Sequence, residues 1–170
     1  VGQGSKVVNS VVDDSIIDAG GQIGPFAHIR PGSELGENVK VGAFAETKKS
    51  KIGKGSKIPH LAYVGDAELG TGVNFSAGAI TVNYDGKNKH KTDIEDGAFI
   101  GSDVMLVAPV TIGKESMIGA GSVITKDVPS KALGIERNDQ KNIEGYMDRK
   151  NKQGKKWLRE PAKRKCSYFQ

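Results

Sequence analysis

The chain has 170 residues, with 25 Lys and Arg against 20 Asp and Glu, 23 glycines and a single cysteine. That length suits one repetitive domain with an appendage rather than several globular ones. No window is apolar and long enough for a membrane-spanning helix, there is no secretory signal, and lone Cys166 excludes an intrachain disulfide, a combination that suits the cytoplasm.

The sequence begins at Val1, inside a repeat and without an initiator Met, and so reads as the tail end of a longer protein. An aliphatic ladder then runs Val11, Ile17, Ile23, Ile29, Leu35, Val41, six residues apart, with Gly24, Gly36 and Gly42 directly after three of its members. A helix repeats every 3.6 residues and an ordinary strand every two, so neither yields this period. It fits hexapeptide repeats wound round a triangular prism, with glycine expected where the corner turns tightly.

The count slips at Thr47 to Ile52 and again at Val64 to Leu69, both five-residue steps. Between them lies Ile58-Pro59-His60-Leu61-Ala62-Tyr63, and local rule-breaking in a regular fold is where functional residues gather. A larger break follows: residues 82–91 hold no inward aliphatic and contain the turn signal Asp85-Gly86, so they read as a loop thrown out from a corner.

From Ile94 the ladder is strict: Ile94, Ile100, Leu106, Ile112, Ile118, Ile124. The residues four places after each (Ala98, Val104, Val110, Ser116, Ser122 and Val128) are small or β-branched. Three hexads complete a turn, so Ile94 should stack on Ile112, Ile100 on Ile118 and Leu106 on Ile124, with strands about 4.8 Å apart. Roughly seven coils are expected between Val1 and Val128. The expected organisation is a solenoid over 1–128, a segment 129–146, and a basic, flexible tail over 147–170.

That tail accounts for the whole net positive charge, with nine Lys or Arg between Asp148 and Lys165 against two acids. The remainder is slightly acidic, which argues against a nucleic-acid-binding solenoid. Three histidines occur: His28 on a regular coil, His60 between the slips and His90 in the loop. Their scattered settings argue against a zinc site, so no metal ligands are expected.

Several runs together resemble one family: Ile23-Gly24-Pro25-Phe26-Ala27 with Arg30-Pro31-Gly32, Glu46-Thr47-Lys48-Lys49, and His60-Leu61-Ala62-Tyr63-Val64-Gly65-Asp66-Ala67-Glu68. Thr81-Val82-Asn83-Tyr84-Asp85-Gly86-Lys87-Asn88, Leu106-Val107-Ala108-Pro109-Val110 and Glu144-Gly145-Tyr146 belong to the same set. From about Gln22 to Tyr146 the chain resembles the C-terminal acetyltransferase domain of bacterial bifunctional N-acetylglucosamine-1-phosphate uridylyltransferase/glucosamine-1-phosphate N-acetyltransferases.

The resemblance implies an all-β, left-handed parallel β-helix and a homotrimer with sites between subunits, the loop reaching a neighbour. It also implies acetyl transfer from acetyl-CoA to glucosamine 1-phosphate for cell-wall precursor synthesis, with no metal needed. The uridylyltransferase domain would lie upstream. On matching positions His60 is the catalytic base, and Arg30, Lys48, Tyr63 and Asn74 contact the sugar phosphate. Ala77, Asn83, Tyr84, Ser102, Ala120 and Arg137 match acetyl-CoA positions.

The residue types suit the task. An imidazole titrates near neutrality and accepts a proton well at cytoplasmic pH. Arg30 offers a planar fork and Lys48 a point charge to phosphate. A backbone N–H near Ala77 is the expected oxyanion donor, and Glu46 is a candidate to orient His60. Lys89 and His90 are open between phosphate contact and solvent. The sequence departs from the family at Phe75-Ser76-Ala77-Gly78-Ala79, at Ala43, where Asn is frequent, and from Lys155 to Gln170. The alternatives are another hexapeptide acyltransferase, a zinc carbonic anhydrase, or a non-catalytic assembly module.

Overall fold

The computed structural model describes residues 1–157. Its twenty-one strands are two to four residues long and form three parallel sheets of eight, seven and six strands, here faces A, B and C. Successive strands step from A to B to C and back, giving the expected all-β, left-handed parallel β-helix. The stacking matches expectation: Ile94 pairs with Ile112, Ile100 with Ile118 and Leu106 with Ile124.

The ladder residues fill the prism. Ile29, Val41, Ile58, Phe75, Ile100 and Leu106 are fully buried, each such side chain stabilising the fold by roughly 1.5–3 kcal/mol. A second inward row lies two residues before each ladder member and is small, as at Ala45, Ala62, Ala79, Ala98, Ser116 and Ser122. A narrow prism has room for one large and one small side chain per strand. No coil buries these rows alone, so stability accumulates from coil to coil.

Three details differ from the sequence reading. Val11 is exposed, and Val12 takes the inward register opposite Ile29, because the step from Val12 to Ile17 is also five residues. Two adjacent valines conceal that slip from a six-residue count. Val128 is not a small-row residue: it bridges Ile112 in the ladder position, after a shortened last corner. The solenoid also continues past 128, since the strand Leu133–Gly134 joins face A beside Met117–Ile118.

Gly24, after Ile23, has a positive φ (95°), but Gly42 and Gly101 are packing positions. A Cβ on Gly42 would collide with the Pro59 carbonyl of the next coil, and one on Gly101 with the Ala120 backbone, while neither residue has a positive φ. The turn itself falls three residues after the ladder member, in left-handed backbone at Phe44 (φ 57°), Leu61 (53°) and Asp103 (55°). At five-residue steps it falls two residues after, at Lys49 (45°) and Asp66 (49°).

Residues 1–137 form one compact unit and the described residues from Asn138 to Trp157 another. Within the second, Tyr146–Trp157 is a helix rich in the helix formers Lys, Arg, Gln and Met, and it takes in the start of the expected tail. Cys166 and the rest of the basic tail lie outside the described residues. Among the described residues no helix is long and apolar enough to cross a membrane.

Candidate active site

The edge between faces A and B keeps six-residue corners from Ile58 onward. Two residues after each inner face A residue stand Ala43, His60, Ala77, Ser102 and Ala120, one per coil. The register is fixed by the His60–Ala43 pairing and by N–H donation from Asp103 to the Ala77 carbonyl (2.9 Å) and from Gly121 to Ser102 (2.8 Å). At about 4.8 Å per coil, His60 and Ala120 lie some 14 Å apart along the edge. His60 is exposed, not sealed within the prism. The N–H groups of Ala77, Ser102 and Ala120 have no hydrogen-bond partner among the described residues. The row is thus a line of small residues and free donors headed by an imidazole. Arg137 reaches its far end, donating to the Ala120 carbonyl at 2.8 Å.

Round the corner, face B carries the cations. Arg30 and Lys48 each follow an inner residue, Ile29 and Thr47, that pair across adjacent coils, so the two side chains sit one coil apart. Tyr63 pairs in register with Glu46. Gly65, opposite Lys48, supplies no side chain, and a Cβ there would strike the Tyr63 ring, so Tyr63 lies over this glycine. Glu46 Oε1 accepts from Arg30 Nη1 at 2.6 Å, a diagonal contact across adjacent coils of face B, since the residue in register with Glu46 is His28. That hydrogen bond strengthens the protonated Arg30 guanidinium.

The loop 82–91 folds back over the same chain's face B. Asn83 is buried, donating to Asp66 Oδ2 at 2.5 Å and lying 3.5 Å from the Tyr63 hydroxyl, which joins a residue expected on the acetyl-CoA side to one expected on the sugar side. Tyr84 is exposed and donates to the Gly86 carbonyl, and Tyr84 and Lys89 form an antiparallel bridge. Asp85 accepts from the backbone N–H groups of Lys87 and Asn88 and meets His90 Nε2 at 2.6 Å. His90, then Asn88 and Lys87, hold the Asp85 carboxyl well below the usual carboxylate range.

This fold-back brings the Lys89 amine against Lys48. The proximity of Lys89 pushes Lys48 below the ordinary lysine range, and nearby Asp66 works against that shift. Arg30, Lys48 and Lys89 therefore form a cation cluster beside Tyr63, and an open pocket of about 370 Å³ lined by Lys49, Asp66, Lys89 and His90 adjoins it. Asn74 stands apart on face A, one coil beyond Lys57, donating to Ser76 Oγ at 3.0 Å. Asp66 was not singled out from sequence. Its signal was the five-residue step, which puts a carboxylate at a shortened corner beneath the loop.

The bacterial transferase hexapeptide (six repeats) family model matches residues 91–126. The chain is 60% identical over 152 residues to a bifunctional protein GlmU from Heliobacterium modesticaldum, covering 89% of this chain and 33% of that protein. It is 58% identical over 147 residues to the protein of the same name from Shouchella clausii, covering 86% and 32%. The chain thus spans about a third of the length of the curated relatives it matches. Among solved structures it is similar to a variant of GDP-perosamine N-acetyl transferase from Caulobacter crescentus in complex with CoA and GDP-perosamine. That likeness has a TM-score of 0.59 at 27% identity and covers 76% of this chain and 58% of the other.

Proposed function

We propose that this chain is the acetyltransferase part of a bifunctional enzyme of the kind it resembles, moving the acetyl group of acetyl-CoA to the amine of glucosamine 1-phosphate. The observation that carries the reading is the juxtaposition of an exposed edge imidazole, continued by free N–H donors, with a face B cation cluster round the corner. One arm suits an extended thioester carrier and the other a phosphorylated sugar. The similarity to proteins named bifunctional GlmU supports the acceptor, and the complex of the structural neighbour with CoA supports the donor.

In this scheme Arg30, Lys48 and Lys89 hold the phosphate, with Tyr63 and Asn74 on the sugar. Charge-assisted contacts of this kind are shorter and stronger than neutral ones. His60 takes a proton from the amino group as its nitrogen attacks the thioester carbonyl. A C–N bond forms, the oxyanion is met by the Ala77 N–H, and the intermediate collapses with loss of the C–S bond. The thiolate leaves as the CoA thiol once protonated from the His60 imidazolium. General-base help contributes about 10²–10⁴ in rate and an oxyanion donor about 10²–10³. Asn83, Tyr84, Ser102, Ala120 and Arg137 serve acetyl-CoA, Arg137 by charge toward its phosphates. The same reading places the chain in the cytoplasm as a homotrimer whose sites lie between subunits, making N-acetylglucosamine 1-phosphate for UDP-N-acetylglucosamine and cell-wall precursors.

The test is release of CoA thiol with purified chain, acetyl-CoA and a panel of acceptors: glucosamine 1-phosphate, free glucosamine and a nucleotide-linked amino sugar. Turnover is expected with the first and little with unphosphorylated glucosamine. Preference for the nucleotide-linked sugar, or no thiol release above blank, would overturn the assignment.

A further inference from the structure

The loop that delivers Lys89 is tied at both ends to one residue. Asn83, at its start, donates to the Asp66 carboxylate, and Thr92, at its end, donates its N–H to the Asp66 carbonyl at 3.2 Å. Between them the His90 N–H closes back onto the Asn83 carbonyl at 2.8 Å. Asp66 in turn donates its own N–H to the Lys48 carbonyl at 3.0 Å, so the strand bearing Lys48 and the loop bearing Lys89 meet at this residue. Its carboxylate is also the acidic charge acting on both amines, which otherwise repel.

We propose that Asp66 is a positioning residue for the phosphate of the acceptor, holding Lys89 beside Lys48 by anchoring the loop and offsetting the repulsion between the two amines. This rests on the assignment of the cation cluster as a phosphate site. Asp66 is neither proton donor nor direct ligand in this role: a carboxylate would repel the phosphate it helps to bind. Its place at a shortened corner explains why the role falls here. The five-residue step from Val64 to Leu69 turns at Asp66 with φ 49°, and the carboxylate comes beneath the root of the insertion.

Asp66→Asn tests it, because Asn also tolerates left-handed backbone and keeps the shape while removing the charge. Asp66→Gly, equally at ease with that φ, removes the side chain altogether. In the full 170-residue chain the KM for glucosamine 1-phosphate is expected to rise about tenfold, with kcat within about twofold and a clearly smaller rise in the KM for acetyl-CoA, through Asn83 and Tyr84. Lys89→Ala should add little in the Asp66→Asn background although it raises that KM on its own. Trypsin cleavage after Lys87, Lys89 or Lys91 should be faster in both variants, since the loop opens locally more often.

Unchanged KM and unchanged cleavage would overturn the proposal. So would a parallel loss of both substrates' parameters with a lowered melting temperature, the mark of a merely structural residue. Should the wild-type chain fail to use glucosamine 1-phosphate, the functional assignment falls by itself. The cleavage arm then still decides whether Asp66 anchors the loop, and cleavage like that of wild type would remove it.

Discussion

The two prism edges flanking face B are built from the same repeat and differ in regularity. From Ile58 onward the A-to-B edge steps by six without exception and presents one residue per coil in a straight row. The B-to-C edge steps by five at Thr47 and Val64 and then expands into the loop 82–91. Regularity suits an elongated partner that needs equivalent contacts at equal spacing. Irregularity is needed where groups from separate segments must converge on one small anion. The contrast shows that a repeat fold makes lines without effort and makes points only by breaking its count.

Substitutions can break or sharpen this contrast. The largest effect is expected at the head of the regular edge: His60→Ala should lower turnover at least about a hundredfold, with melting behaviour unchanged, as read by thiol release and circular dichroism. Retained activity would remove His60 as base and leave the row as a binding surface only. Next comes face B, where Arg30→Ala should raise the KM for the sugar phosphate about tenfold and leave the acetyl-CoA KM alone. A change confined to acetyl-CoA would mean that the two substrates have been assigned to the wrong surfaces.

Gly42→Ala probes how strictly coils are spaced. Its Cβ collides with the Pro59 carbonyl, so a stability loss of about 1–3 kcal/mol is expected from urea unfolding. The smallest effect concerns the loop tip. Asp85 is held below its ordinary range by His90, so its contribution to loop order is present above the unfolded carboxylate value of about 4 and is lost only as pH falls through the lower folded value. Hydrogen exchange should show constant protection of the Lys87 and Asn88 amides from pH 8 to about 5, and loss of it throughout in Asp85→Ala, which removes the acceptor oxygen. A decline in the wild type above pH 5 would mean that another group holds the tip.

The solenoid could be read from sequence because its period is a property of single residues: large aliphatics at one phase and small residues at another leave little choice of architecture. Counting alone failed where adjacent residues were interchangeable, at Val11 and Val12, and at the last corner before Val128. The candidate site residues divide in the same way. His60, Ala77, Ser102 and Ala120 fall into one row by arithmetic once the coil is known. Asp66, and the ion pair of Glu46 with Arg30, depend on which strand follows which corner and where the loop returns. Such contacts join positions many residues apart and leave no periodic mark. Lys89 was ambiguous for the same reason, since only the fold-back of the loop selects Lys48 over solvent.

The constant spacing of the A-to-B row makes the prism a ruler. Whatever lies along it is measured in increments of about 4.8 Å, from the imidazole to the Arg137 end. Inserting one complete coil between Ala77 and Ser102 would move the far anchor outward by a single increment without disturbing the reacting end. A homologue suited to a longer or shorter carrier could therefore arise by whole-turn gain or loss, with its reactive head unchanged.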